Sequence, residues 1–586
     1  MKQPMKFFYY TFLLLFPLLA TAQSTDRPNV ILIITDDQGY GDFGFTGNPH
    51  VQTPNLDQLA KESVRFNNFY VSPVCAPTRS SLMTGRYSLR TGVRDTYNGG
   101  AIMASNEVTI AETLKEIGYQ TGIFGKWHLG DNYPSRPSDQ GFDESLIHLS
   151  GGMGQVGDFT TYFQGDRSYF DPVLWHNNEQ EAYEGYCSDI FAENAIEFIE
   201  ENKKGPFFCY LSFNAPHTPL QVPAQYLEKY KDIDPSKGFE ESDQPFPEMS
   251  EKDKEDARKV YAMVDNIDHN LGQLFQKLED LEIAEETIVI FMTDNGPQQR
   301  RYKAGLRGLK GSVWQGGVRV PLLFKYPKMK TAVQEVDATV AHLDILPTIA
   351  ALCEADLPKM KKMDGKNMLP LLQGEQVAAI DNRALFFTWT RKSPELYNNM
   401  ALQKGAYKLV GQTDYDAPIT AFGLFNIQED PFEQNNLIEE HTAIALDLKQ
   451  DLDNYYADLI QSPNLVNPPL IQVGRTEENP IYLNRNDAGG ERGIWAAPEV
   501  FGQWAVDILP GTYNFTFKFR EPVSTGGKLY LETNQIVHQK QYTGAATDVI
   551  EMKSVFLPGL QGVLTPFYAS SGKRIFPFWV KVEKVD

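Results

Sequence analysis

Two stretches of the chain end in the same kind of chemistry. VILIITDDQG closes on Asp36 and Asp37, and IVIFMTDNGP closes on Asp294 and Asn295. Three carboxylates and an amide oxygen are hard donors of the kind that hold Ca2+ or Mg2+, and the set lacks the imidazoles and thiolates of a zinc site. Asp-Asn-Gly is also a common turn sequence, so either pair taken singly reads as a turn as readily as a ligand. The matching of the two pairs is what argues for a metal.

Other chemistry-bearing residues follow apolar runs in the same way. GKWHLG brings Lys126 and His128, NAPHTP brings His217, and the glycine-rich LRGLKGSVWQGGVRVP brings Lys310, where glycines permit close backbone approach to a ligand. A lone histidine is more often structural than catalytic, but both of these are expected at one edge of the same sheet. In VCAPTRSSLMTGR, residues 74–86, Cys75 precedes a helix-like run that begins after Pro77, and Arg79 lies within it. A helix N-terminus with an arginine welcomes negative charge, so a thiolate nucleophile is one reading of Cys75.

The elements that must position these residues are legible from hydrophobic patterning. Residues 30–34, 121–124, 207–213 and 287–292 read as strands, and 56–66, 108–117, 188–201 and 251–281 as helices. Their alternation predicts an α/β fold with a large, mostly parallel sheet flanked by helices, whose ligand sites form at the carboxyl ends of the strands. A catalytic α/β domain over 23–354 is expected to lead into a smaller α+β subdomain over 355–461, with a strand at 402–410 and a helix at 442–460. The Pro- and Asn-rich stretch 462–480 reads as a linker, and 481–586 as an all-β, sandwich-like module.

Lys2 and Lys6, an apolar run over 7–19 and Ala20-Thr21-Ala22 have the layout of a secretory signal peptide, 1–22, so the chain is expected in the periplasm or outside the cell. No cysteine follows that run to carry a lipid anchor, and no stable membrane insertion is expected after signal cleavage. The formal net charge of −22 over 586 residues excludes nucleic acid as a natural partner and makes an anionic substrate surprising unless the site is locally positive. The four cysteines, Cys75, Cys187, Cys209 and Cys353, match neither a zinc motif nor a disulfide scaffold. Cys209 and Cys353 read as core thiols. Arg86, Arg90 and Arg94, at intervals of four, read as a solvated or ion-paired helix face in preference to a second anion patch. Trp495 and Trp504 read as core aromatics in preference to sugar platforms.

Cys75-Ala76-Pro77-Thr78-Arg79, continuing to Thr84-Gly85-Arg86, resembles the C-x-P-x-R signature of the formylglycine-dependent sulfatases. The likeness extends from Arg27 to about Asn436 and takes in RPNVILIITDDQGYGD, GKWHLG, NAPHTP, MTDNGP, the Lys310 loop and PFEQNNL. The resemblance implies the alkaline phosphatase-like fold and a sulfuric ester hydrolase. It implies that a separate maturation enzyme oxidises Cys75 to Cα-formylglycine, whose hydrate attacks sulfur and then releases sulfate by re-forming the aldehyde. It also implies one Ca2+ held by Asp36, Asp37, Asp294, Asn295 and the modified residue 75. Arg79 then stabilises the hydrated aldehyde, and Lys126 and Lys310 neutralise sulfate oxygens. His128 serves as base, and His217, with Lys310, as proton donor to the leaving oxygen. Secretion and the appended β module resemble sulfatases that strip algal polysaccharides such as ulvan or carrageenan, so a sulfated carbohydrate is the expected substrate. A phosphodiesterase or phosphonate monoester hydrolase on the same scaffold, or a glycan-binding protein with a decayed site, are the competing readings.

Overall fold

The computed structural model describes residues 27–238, 248–329 and 333–586; the expected signal peptide lies outside them. The main body is built on an eleven-stranded sheet. Its strands are β1 (Asn29–Thr35), β2 (Val64–Tyr70), β3 (Gln120–Lys126), β4 (Glu144–His148), β5 (Val173–His176), β6 (Glu179–Ala182), β7 (Phe207–Ser212), β8 (Thr287–Thr293), β9 (Arg319–Lys325), β10 (Glu335–Val336) and β11 (Val340–Ala341). The centre, β8-β1-β7-β3-β4, is parallel throughout, while β9 on one side and β5-β6 on the other run antiparallel.

The apolar run NVILIIT of β1 is unbroken because both of its faces are covered. Val30, Leu32 and Ile34 enter one core with Leu82, Ile110 and Ile345, and Ile31 and Ile33 enter the other with Leu56, Phe198 and Leu271. The second core is closed by the helix Glu251–Asp280, whose Ser250 and Asp253 form a capping box at its start.

Two of the expected elements are shorter or longer in the fold. The helix read over 56–66 is Pro54–Glu62, and Val64 and Phe66 belong to β2; their apolar side chains match the helical period by chance and are taken by sheet pairing with β9. The helix expected after Pro77 begins three residues earlier, as Cys75–Thr84, which proline permits because it sits in the first turn, where its missing N–H removes no helical bond.

Past residue 380 a four-stranded antiparallel sheet packs on the helix Thr442–Ile460: β12 (Ala384–Thr388), β13 (Met400–Lys404), β14 (Tyr407–Gly411) and β15 (Gly423–Asn426). The strand read over 402–410 is therefore a hairpin, turned at Gly405-Ala406 with Gly405 at φ 58°. The stretch 462–480 carries a helical turn, Pro463–Val466, and a strand, Ile471–Val473, that pairs with Gly502–Ile508 in the C-terminal module. That module is two packed sheets around Trp504, Phe515, Phe517 and Leu529.

Candidate active site

Sheet register brings the two acidic strand ends together. β1 and β8 are parallel neighbours with Thr35 opposite Thr293, so the residues that follow each strand leave the sheet side by side. The Asp37 amide donates to Asp294 Oδ1 at 3.2 Å, and Asn295 Nδ2 donates to Asp37 Oδ1 at 2.8 Å. β7 and β3 lie next along the sheet, and their ends deliver Ser212 and Lys126 to the same edge. Gly125, at φ 114°, allows this approach, since a Cβ there would lie 1.8 Å from the Ser212 carbonyl oxygen.

The four acidic-pair residues are fully buried, yet Asp36 Oδ1, Asp37 Oδ2 and Asn295 Oδ1 have no hydrogen-bond partner. Buried oxygens are ordinarily paired, and three orphans in one cluster of oxygen donors fit a hard divalent cation. Cys75 Sγ lies close to oxygens of Asp36 and Asp294 in the same cluster.

Cationic side chains surround these carboxylates. Arg79, four residues on from Cys75 and on the same helix face, donates from Nε at 3.2 Å and Nη2 at 2.8 Å to Asp294 Oδ2. Lys126 Nζ pairs with Asp36 Oδ2, and Lys310 Nζ lies 2.6 Å from Asp37 Oδ1. Burial raises the Asp36 carboxyl, but Lys126, His217, Arg79 and Lys310 together hold it far below the usual range. Asp294 goes the other way: burial and the Asp36 charge push it up to about 7 against the pull of Arg79. Two carboxylates this close cannot ionise equally easily.

The histidines are set by backbone oxygens. His128 Nε2 donates to the Thr96 carbonyl at 2.7 Å, which leaves Nδ1 as the acceptor facing Cys75 Sγ at 3.5 Å. His217 Nδ1 donates to the Thr218 carbonyl at 2.7 Å, and its Nε2 faces Asp37 Oδ2 at 3.7 Å. Burial, followed by the Lys126 charge, pushes His128 well below its ordinary value; burial and Lys310 push His217 to about 4. Asp37 and His128 both adopt left-handed backbone, at φ 62° and 60°. Such strain in non-glycine residues gathers at functional sites.

Every residue proposed from sequence therefore reaches one place. Cys75, His128, His217 and Lys310 line a cavity of about 670 Å3, with the acidic cluster and Arg79 beneath it. Burial raises the Cys75 thiol above its ordinary value, so an unmodified thiolate is disfavoured. The other cysteines are buried and unpaired. Arg86 pairs with Glu107, and Arg90 with Asp364 and Asp458, as expected of an ion-paired role, but Arg94 donates to the Lys392 carbonyl at 2.7 Å and only Arg90 of the three lies in a helix, Ser88–Thr91.

Some contributors carried no recognised signal. Arg301 pairs with Asp42 and donates to the Asp37 carbonyl at 2.8 Å, which fixes the turn after β1. Tyr97, Trp389 and Arg391 line the cavity, as does Trp495, contrary to the expectation of a core aromatic; Trp504 does lie in the core. An aromatic residue two positions from an arginine, as in Trp389-Thr390-Arg391, was the available clue.

A family model described as Sulfatase matches residues 28–355, and one described as N-sulphoglucosamine sulphohydrolase, C-terminal, matches 310–458. Human arylsulfatase A is 33% identical over 428 residues, covering 67% of this chain and 77% of that protein. An ulvan-active sulfatase of Formosa agariphila is 29% identical over 448 residues, covering 74% of this chain and 82% of that protein. Among solved structures, Ps i-CgsB in complex with k-i-k-neocarrahexaose superposes with a TM-score of 0.64 at 31% identity, covering 75% of this chain and 94% of that one.

Proposed function

Because this chain belongs to the sulfatase family, whose members hydrolyse sulfate esters, we propose that it is an exported enzyme acting on algal polysaccharides or their oligosaccharides, such as ulvan or carrageenan, with Ca2+ as its metal and with residue 75 working as formylglycine. The observation that carries this reading is the set of orphaned buried oxygens beside Cys75, ringed by Arg79, Lys126 and Lys310 at the foot of a large cavity. The glycan substrate is supported by the ulvan-active sulfatase among its relatives and by the k-i-k-neocarrahexaose bound to Ps i-CgsB. Among the described residues no helix is long and apolar enough to cross a membrane.

Asp36, Asp37, Asp294 and Asn295 would hold the cation, which supplies Lewis-acid charge toward a sulfate oxygen and toward residue 75. Cys75 Sγ stands where the oxygens of the converted side chain would lie, and that side chain supplies a hydroxyl nucleophile together with a route to release sulfate without water attack at sulfur. The protein's own groups account for the rest. Lys126 and Lys310 receive the sulfate oxygens, so an acidic protein presents a locally cationic floor. His128 Nδ1, kept unprotonated by burial and by the Lys126 charge, takes a proton from residue 75. An anionic ester arriving beside Lys310 offsets the charge that holds His217 down, and so favours the imidazolium that gives its proton to the leaving oxygen.

The test is sulfate release from a panel of sulfated algal oligosaccharides, together with rates on matched sulfate and phosphate esters, using protein coexpressed with a maturation enzyme. Sulfate release with a preference for sulfate esters is expected. A strong phosphate preference would turn the reading to a phosphodiesterase. An intact thiol at residue 75 in fully active protein, seen by peptide mass, would overturn the nucleophile.

A further inference from the structure

The two family models end by residue 458, and the part of the chain beyond them nevertheless enters the cavity above Cys75. Trp495, Ala496 and Arg520 of the C-terminal β module line it, together with Tyr97 and Tyr162 of the main body. The Trp495 and Tyr97 rings are 5.2 Å apart at 64°, and the Arg520 guanidinium lies 5.6 Å from the Tyr162 ring centre.

These positions are held from below. Arg485 is buried and donates to the carbonyls of Ile494 and Ala497, at 3.2 and 2.9 Å, so it grips both sides of the Trp495 turn. Its other bonds also go to carbonyls, those of Phe576 and Pro577. Among the described residues no carboxylate forms an ion pair with Arg485, and burial, with the Arg520 charge nearby, pushes it down to about 10. Arg520 donates to the Ala496 carbonyl at 2.7 Å, and among the described residues no carboxylate forms an ion pair with it. Arg391, across the mouth, differs. It lies over both Tyr97 and Trp389 and pairs with the buried Asp95 at 2.8 Å, so its charge is already matched. In a chain of formal charge −22, an exposed arginine beside a second unpaired arginine at the rim of an anion-receiving cavity is a place where a further anion is favoured.

We propose that Trp495 and Arg520 form a subsite for the sugar next to the one whose sulfate is removed, with the Trp495 indole against the ring and the Arg520 guanidinium on an anionic substituent of that sugar, a sulfate ester or a uronate carboxylate. The inference rests on the glycan reading of the active site and adds that the substrate is an oligosaccharide with a second anion, recognised by the appended module.

The test compares kcat/KM of the converted full chain on a small aryl sulfate and on sulfated oligosaccharides whose neighbouring sugar carries a sulfate, a uronate carboxylate or no anion. Arg520→Ala is expected to lower the oligosaccharide-to-aryl-sulfate ratio about 10-fold, through KM, for whichever anion is read, and to leave the ratio for the neutral neighbour in place. Trp495→Ala is expected to lower the ratio for all three. Calorimetric titration of unconverted protein with the same oligosaccharides is expected to show the matching loss of affinity without turnover. Equal losses on aryl sulfate and oligosaccharide would assign the two residues a structural role and overturn the subsite. So would unchanged ratios in a protein that does release glycan sulfate. Turnover of aryl sulfate with no release from any oligosaccharide would instead overturn the glycan reading on which the subsite rests.

Discussion

Asp36, Asp37 and Asp294 lie among three cationic side chains, whereas Asp131, Asp158 and Asp487 lie among amides, hydroxyls and one another. The first group is buried throughout; in the second, Asp158 and Asp487 are buried and Asp131 is half-buried. In the second, Asp131 accepts from the Ser150 amide at 3.0 Å and from Asn484 Nδ2 at 2.7 Å, and the Asp131 amide faces Asp487 Oδ2 at 3.4 Å. Among the described residues none of these three forms an ion pair. Burial therefore dominates: it pushes Asp158 up to about 7 and Asp487 to about 6, and, with Asp487 as neighbour, lifts Asp131 well above the usual range. Burial alone does not make a carboxylate functional. A group raised by burial joins the main body to the β module; a group that meets fixed cations and keeps orphaned oxygens is ready for a metal and an anion.

The same substitution in both groups should separate them most widely. Asp36→Asn leaves Lys126 fully buried without its carboxylate, an expected cost of about 3–5 kcal/mol in chemical denaturation, and should lower sulfate release about 10³-fold. Asp487→Asn should cost almost nothing near pH 5. Comparable losses in the two variants would erase the distinction.

Divalent cation should act on one group alone. In unconverted protein, where the readout is unfolding and not turnover, Ca2+ at 100 times its Kd is expected to stabilise by about 2.7 kcal/mol over chelator-treated protein. Asp36→Asn should abolish that increment and Asp487→Asn should preserve it.

The smallest effect concerns pH. A carboxyl whose folded-state value is raised holds its proton after the unfolded chain has lost it, so its contribution to stability is present at low pH and declines as pH rises from about 4, the unfolded value, to about 6 for Asp487. Asp487→Asn, which needs no proton, should flatten the fall in thermal midpoint across that window. An unchanged profile would mean that Asp487 does not set this pH dependence.

Much of the site could be read along the chain because its residues sit next to patterned elements. Asp36, Asp37, Asp294 and Asn295 each follow an apolar run, and Cys75 and Arg79 are four apart at a helix start, so local order places each group at the right end of the right element. The boundaries blurred where an apolar period fits two elements, as at Val64 and Phe66, or where a turn interrupts a run, as at Gly405.

Residue types, their order and the strand-end positions were thus settled by one-dimensional pattern, since apolar periodicity and turn chemistry act over a few residues. Which strands became neighbours was not. Nothing local says that β1 pairs with β8 across more than 250 residues, that Lys126 meets Asp36, or that Arg520 and Trp495 reach a cavity built by other elements. Those contacts follow from how the sheet orders its strands and how the β module docks on the body, and packing energies that sum over the whole molecule leave no mark in any short segment.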